Sequence, residues 1–193
     1  DPYYLELAYG CNVRLKDLSE SEQALDKELT FGGLVVGYET KISRKGSQFG
    51  IMKIEDYSGS YEIRLFGKNF IEYDKYGKPG TPILVRGMYQ KRKFNDSVDL
   101  NILSMDLLED YKGKMIHSIC IEINVDDLND RISELLKDYL GKSTENRANL
   151  YYKLVDVDRK HSVTLLSKYK MPVTKQLIEC LKENGFEFEV NYM

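Results

Sequence analysis

Five short stretches of alternating apolar and polar residues, a helical insert between the third and the fourth, and a cluster of glycines in the first predict an OB-fold over residues 29–108. A second run of alternating stretches, interrupted by two amphipathic helical ones, predicts a β-α-β-β-α-β domain over 115–193. The fold class expected is therefore β plus α/β, a five-stranded barrel followed by a small layered domain.

The barrel elements follow in order. Leu34, Val36 and Tyr38 alternate with Val35, Gly37 and Glu39, as in a half-buried strand. Gly32, Gly33 and Gly37 allow the sharp bend of a barrel corner. Arg44, Lys45, Gly46 and Ser47 form a basic turn. Residues 49–54 are the second strand, with Gly50, Met52 and Ile54 on one face and Phe49, Ile51 and Lys53 on the other. Asp56, Tyr57, Ser58 and Gly59 read as a hairpin turn, because Asp starts turns and Gly takes a positive φ. Residues 61–66 are the third strand, with Tyr61, Ile63 and Leu65 toward the core and Glu62, Arg64 and Phe66 away from it. Phe70, Ile71 and Tyr73 lie in the helical insert, closed by Gly77 and Pro79. Residues 83–90 and 98–105 pair as the last hairpin, and Lys91, Arg92, Lys93, Phe94, Asn95 and Asp96 join them.

The basic residues concentrate where such a barrel binds its ligand. Lys41, Arg44 and Lys45 fall in the predicted loop between strands one and two, and Lys91, Arg92 and Lys93 in the loop between strands four and five. Those two loops flank the OB-fold groove. Lys53 and Arg64 are expected on the outer face of strands two and three, beside Phe49 and Phe66, and Phe94 tips the last loop. Cations track phosphates and aromatic faces stack bases, which points to single-stranded nucleic acid. The plainer alternative is that the loops are only solvated and the two Phe rings pack beneath neighbouring elements.

Composition bounds this reading. The chain of 193 residues is 42% hydrophobic and 31% charged, as globular chains are, and its net charge is −3. Residues 31–110 hold 12 Lys+Arg against 11 Asp+Glu, a net of +1, and the remainder carries −4. Binding to nucleic acid must then rest on local patches and be weak and salt-sensitive. No apolar run approaches the roughly 20 residues of a membrane span, and no signal peptide is visible. The chain opens on Asp1 and Pro2 rather than Met, as a fragment of something longer would. Cys11, Cys120 and Cys180 lack CxxC spacing and suit reduced thiols in a cytoplasm.

Around the barrel, residues 1–28 read as a connector and 109–114 as a polar linker. In the last domain Ile119, Ile121, Ile123 and Val125 alternate as a strand, and Asp126 is expected to cap a helix bearing Leu128, Ile132, Leu135, Leu136 and Tyr139. Leu150, Tyr152 and Leu154 form a strand, and Val163 and Leu165 another. Pro172 is expected to open a helix with the stripe Val173, Leu177, Ile178 and Leu181. Phe186, Phe188 and Val190 mark the final strand.

Catalytic motifs do not assemble. Gly141, Lys142, Ser143 and Thr144 resemble the tail of a P-loop, but Leu136 stands where its first Gly belongs and a helix, not a strand, precedes it. Asp156 and Asp158 sit beside Arg159 and Lys160 at an apparent hairpin turn, without a third carboxylate for a two-metal site. His117 and His161 have no partner at ligand spacing. The expectation is no catalytic residue, no metal site and no cofactor in this chain.

Three motifs carry a family resemblance: Thr40-Lys41-Ile42-Ser43-Arg44-Lys45-Gly46, Ile54-Glu55-Asp56-Tyr57-Ser58-Gly59, and Glu62-Ile63-Arg64-Leu65-Phe66. They resemble the OB-fold of bacterial DNA polymerase III alpha subunits, whose pattern is approximately T-K-x-G, L-E-D-x-x-G and E-x-x-x-F. The turn from Lys41 to Lys45 is longer than the family's. The resemblance implies the C-terminal end of a replicative DNA-directed DNA polymerase, a nucleotidyltransferase whose metal-binding aspartates lie outside this chain. It implies single-stranded DNA as ligand of the barrel, and the clamp-loader tau subunit and other holoenzyme subunits as partners of the last domain. Gln48, Phe49, Gly50, Ile51 and Met52 echo a clamp-binding peptide but lie inside a predicted strand. Two other readings stay open: an anticodon-binding OB module of the tRNA-synthetase kind, and an OB module that binds only protein.

Overall fold

The computed structural model describes residues 3–18, 25–91, 98–112, 114–128, 130–140 and 147–192. Its chain divides into two units, residues 11–112 and residues 1–10 with 113–193.

The barrel unit is built on β1, Glu28–Ile42, which pairs antiparallel with two partners in succession. Residues 28–34 pair with β4 (Pro82–Lys91), and residues 34–42 with β2 (Gln48–Glu55). β3 (Ser60–Phe66) extends the sheet beyond β2, and β5 (Val98–Leu107) beyond β4. The order is β3-β2-β1-β4-β5, with helix α2 (Gly67–Tyr73) between β3 and β4. This is the OB-fold order of elements, left open between β3 and β5.

Two features let β1 serve both halves of the barrel. A register shift between Val35 and Gly37 leaves Val36 as an extra residue. Phe31 and Val35 point inward before it, and Tyr38 joins the core after it, while Leu34 and Val36 are exposed. A Cβ on Gly33 would lie 2.5 Å from the Glu55 carbonyl oxygen, so the backbones meet there only because no side chain intervenes. Tyr38 donates a hydrogen bond to Asp74, and a Cβ on Gly50 or Gly77 would strike its ring.

β2 and β3 place their side chains on the faces their alternation predicts. Met52, Ile54, Ile63 and Leu65 are buried with Phe31, Ile83, Val85 and Met105. Leu15 and Leu18 belong to the same core. The Asp56 carboxylate closes the β2–β3 turn by accepting from the Ser58 and Gly59 amides at 2.6 and 2.9 Å. Its other oxygen accepts from the Leu15 amide at 3.2 Å, fixing the approach segment to the turn.

The other unit is a four-stranded sheet of order β8-β7-β6-β9. β6 (Ile116–Asn124) runs parallel to β7 (Arg147–Asp156), the crossover between them containing α3 (Asp130–Leu140). β8 (His161–Pro172) returns as a hairpin, and α4 (Lys175–Glu183) leads to β9 (Phe188–Tyr192). Ile119, Ile121 and Leu150 share a core with Ile132 and Leu136 of α3 and with Leu177, Ile178 and Leu181 of α4. Thr174 caps α4 by accepting from the Leu177 amide at 3.2 Å.

Several sequence expectations are corrected. Residues 4–9 are not unstructured connector: helix α1 (Tyr4–Tyr9) sets Leu5 and Tyr9, one turn apart, against the core of the second unit. Asp126 does not cap α3. It lies in a 3-10 turn, Val125–Asp127, capped by Asn124, and Leu128 stands exposed ahead of the helix. Pro172 ends β8 instead of opening α4. The P-loop-like residues 141–144 lie outside the described residues.

Candidate nucleic-acid interface

Strand register across β1, β2 and β3 orders the outward side chains in rows, because directly paired residues share a face. One row is Lys41–Phe49–Phe66, the next Glu39–Ile51–Arg64, the third Gly37–Lys53–Glu62. Phe49 and Phe66 stack with centroids 4.9 Å apart and planes inclined by 22°. Phe66 is 48% exposed, so its ring keeps a surface open to a ligand.

The charges on this face nearly cancel. Lys41 lies 2.6 Å from Glu39, and Lys53 lies 3.5 Å from Glu55. These pairs are solvent-exposed, and such pairs are worth roughly 0–1 kcal/mol. Arg64 makes no salt bridge among the described residues. A phosphate would therefore meet Arg64 directly, whereas it must draw Lys41 and Lys53 away from carboxylates.

Beyond Lys41 the chain turns through Ser43–Ser47. The Ser43 amide donates to the Ser47 carbonyl at 2.8 Å, the Gly46 amide to the Ser43 carbonyl at 2.9 Å, and the Ser47 amide to Ser43 Oγ at 3.1 Å. Gly46 has φ +80, a conformation side chains resist. Arg44 and Lys45 thus project from an ordered tip, fully exposed.

Two expectations about position change. Lys41 is a residue of β1, not of the loop, and Lys91 is the last residue of β4, not of the loop after it. Strand pairing continues farther than alternation alone marks: Lys41 faces Phe49, and Lys91 faces Val98. The structure brings Phe49, Lys53, Arg64 and Phe66 onto one face, with Lys41 beside them, and Arg44 and Lys45 on the turn that follows. Lys91 belongs to the β4–β5 hairpin. Arg92, Lys93 and Phe94 lie outside the described residues.

A groove of about 450 Å³ lies between β3 and β5, lined by Arg64, Phe66 and Asn69 on one side and Asp99 and Leu100 on the other. Tyr61 and Tyr89 reach it with hydroxyls 3.2 Å apart, and Tyr89 also donates to the Leu18 carbonyl at 2.8 Å. Sequence alternation could not reveal this groove, because it depends on β3 and β5 staying unpaired. Near the platform, burial and the Asp74 carboxylate push the Tyr38 phenol up to about 12. Among the described residues no group of three His, Cys, Asp or Glu is placed to hold a metal. Asp156 instead accepts from the Arg159 amide at 2.9 Å within its turn. No helix among the described residues is long and apolar enough to cross a membrane.

Comparisons with known proteins agree with this picture of two parts. The family model described as DNA polymerase III alpha subunit, C-terminal domain, matches residues 119–191. The chain is 25% identical over 192 residues to a DNA polymerase III subunit alpha of Pasteurella multocida, covering 97% of this chain and 16% of that protein. It is 24% identical over 150 residues to the DNA polymerase III subunit alpha of Escherichia coli K12, covering 77% of this chain and 13% of that protein. The chain thus spans about a sixth of the length of the first of these relatives. Among solved structures, the mitochondrial single-stranded DNA binding protein Rim1 of S. cerevisiae aligns with TM-score 0.33 and 16% identity, over 42% of this chain and 95% of that one. The second OB-fold domain of replication protein A from Methanococcus maripaludis aligns with TM-score 0.30 and 16% identity, over 44% and 87%. The near-complete alignment to alpha subunits and the match of residues 119–191 to their C-terminal domain establish that the chain belongs to the DNA polymerase III alpha-subunit family.

Proposed function

We propose that this chain is a non-catalytic part of a replicative polymerase, in which the barrel holds single-stranded DNA and the second unit docks the clamp-loader tau subunit. On this reading the polymerase active site lies elsewhere in the whole protein, and the holoenzyme works in the cytoplasm. The observation that carries the DNA half is the stacked Phe49–Phe66 pair on the outward face of β2 and β3, with Arg64 in the adjacent row and Arg44 and Lys45 at the tip of the neighbouring turn. Bases stack on the rings and phosphates follow the cations. The near-balance of Lys/Arg and Glu on the face makes the interaction weak.

The test is fluorescence anisotropy of labelled single-stranded DNA at about 50 and about 200 mM salt. If Arg44, Lys45 and Arg64 meet three phosphates, a slope near −0.7 per phosphate predicts about a 20-fold loss of affinity across that range. A salt-independent affinity sinks the reading. No binding at low salt moves the barrel to protein docking, and preference for a folded RNA loop moves it to the anticodon-binding alternative.

A further inference from the structure

The second unit leaves one apolar surface uncovered. Val163, Leu165, Leu166 and Tyr169 of β8 are 57%, 48%, 63% and 54% exposed. Strand register explains why they are not a random scatter. Val163 faces Leu154 across the ladder, and Leu165 faces Tyr152, so these four share one side of the hairpin. Tyr152 and Leu154 already lean on the core, and Val163 and Leu165 continue that apolar side outward with nothing over them. A register shift between Asn149 and Tyr151 inserts two extra residues in β8 and separates this outer half from buried Met171.

The same segment has a free edge. β8 ends the sheet, and among the described residues no strand pairs with its outer side. Native sheets usually shield so long an edge, and here only charge does so. Residues 157–170 carry Arg159, Lys160, Lys168 and Lys170 against Asp158, in a chain whose net charge is −3. All five side chains are exposed. A second copy of this hairpin would set like charges against each other, so self-pairing is disfavoured.

We infer that β8 is a docking edge for an extended segment of a partner protein that alternates apolar and acidic residues. The segment adds a strand to the sheet, lays its apolar side chains beside Val163 and Leu165, and sets its carboxylates near Lys168, Lys170, Arg159 and Lys160. This deepens the partner-docking half of the proposed function and rests on it.

The experiment uses the full chain and a fluorescein-labelled peptide of six Val-Glu repeats, with a Val-Lys repeat of equal length for comparison. The acidic peptide should bind, and the basic one at least about tenfold more weakly. Leu165→Ser, at a half-exposed position, should weaken binding about tenfold by removing a buried contact in the complex. Amide hydrogen exchange should slow along residues 161–170 when the acidic peptide is present. Equal binding of both peptides, undiminished binding by the Leu165→Ser variant, or slowed exchange confined to other strands each overturns the inference. Purified tau subunit, titrated separately, keeps the two readings apart. Failure of tau to bind the parent chain removes the tau reading, while the peptide data still decide the β8 edge.

Discussion

Replacing Phe66 by Ala separates stacking from charge. Phe66 is 48% exposed and carries the more accessible ring of a pair whose centroids are 4.9 Å apart. Loss of one base-stacking surface costs about 1–3 kcal/mol. At 1.4 kcal/mol per decade, that raises Kd about 5- to 150-fold. No charge is removed, so the dependence of log K on log salt keeps its slope, and the curves at about 50 and 200 mM shift by the same factor. The substitution also dissolves the Phe49–Phe66 pair, worth about 0.5–1.5 kcal/mol to folding. A thermal melt followed by circular dichroism accounts for that loss, and Phe66→Tyr, which keeps a ring, should bind near the parent level. The assay is anisotropy of labelled single-stranded DNA. A folded Phe66→Ala variant with parental Kd, or one whose salt slope flattens instead, would refute the stacking argument.

Arg64→Gln should do the converse, reducing the salt slope by about 0.7 while Phe66 still stacks; Glu62→Gln, in the row beside Lys53, should strengthen binding at low salt, and the same titrations check both. Tyr38 has its phenol raised from 10.0 to about 12 by burial first and Asp74 second, so the folded state holds this proton more tightly than the unfolded chain. Its contribution is whole below pH 10 and is lost as pH rises toward 12; melting temperatures across that window should fall less steeply for Tyr38→Phe than for the parent. Gly33→Ala drives a Cβ against the Glu55 carbonyl and should destabilise by about 1–3 kcal/mol in urea unfolding. Gly37→Ala meets only Lys53 Cβ at 3.8 Å and should stay within about 1 kcal/mol of the parent.

Faces were legible in the sequence wherever alternation ran unbroken. Met52, Ile54, Ile63 and Leu65 point inward and Phe49, Lys53, Arg64 and Phe66 outward, as period two requires. In β1 the bulge at Val36 reverses the alternation, so that Val35 and Tyr38 both serve the core, and no local pattern marks such a shift. Residues at strand ends were read as loop because charge resembles solvation, yet Lys41 and Lys91 take part in the ladders. The pairing of Lys41 with Glu39 and of Lys53 with Glu55, which weakens the apparent basic patch, depends on side-chain reach and not on composition. Helix α1 escaped notice because one turn of amphipathic sequence is too short to stand out, and only the core it covers gives it a reason to form.

That short helix makes the second unit discontinuous: residues 1–10 belong with 113–193, and the barrel is spliced between them. During synthesis at about 5–20 residues per second, the roughly one hundred intervening residues take about 5–20 s to appear. A six-residue helix cannot hold itself together in water, so Leu5 and Tyr9 wait unfolded while the barrel has every residue it needs to close. Translation order thus sets the barrel to mature first. An excised second unit starting near residue 115 would lack the N-terminal part of its own core and should expose an apolar face to aggregation, a handicap removable by tethering residues 1–10 back to it with a flexible linker.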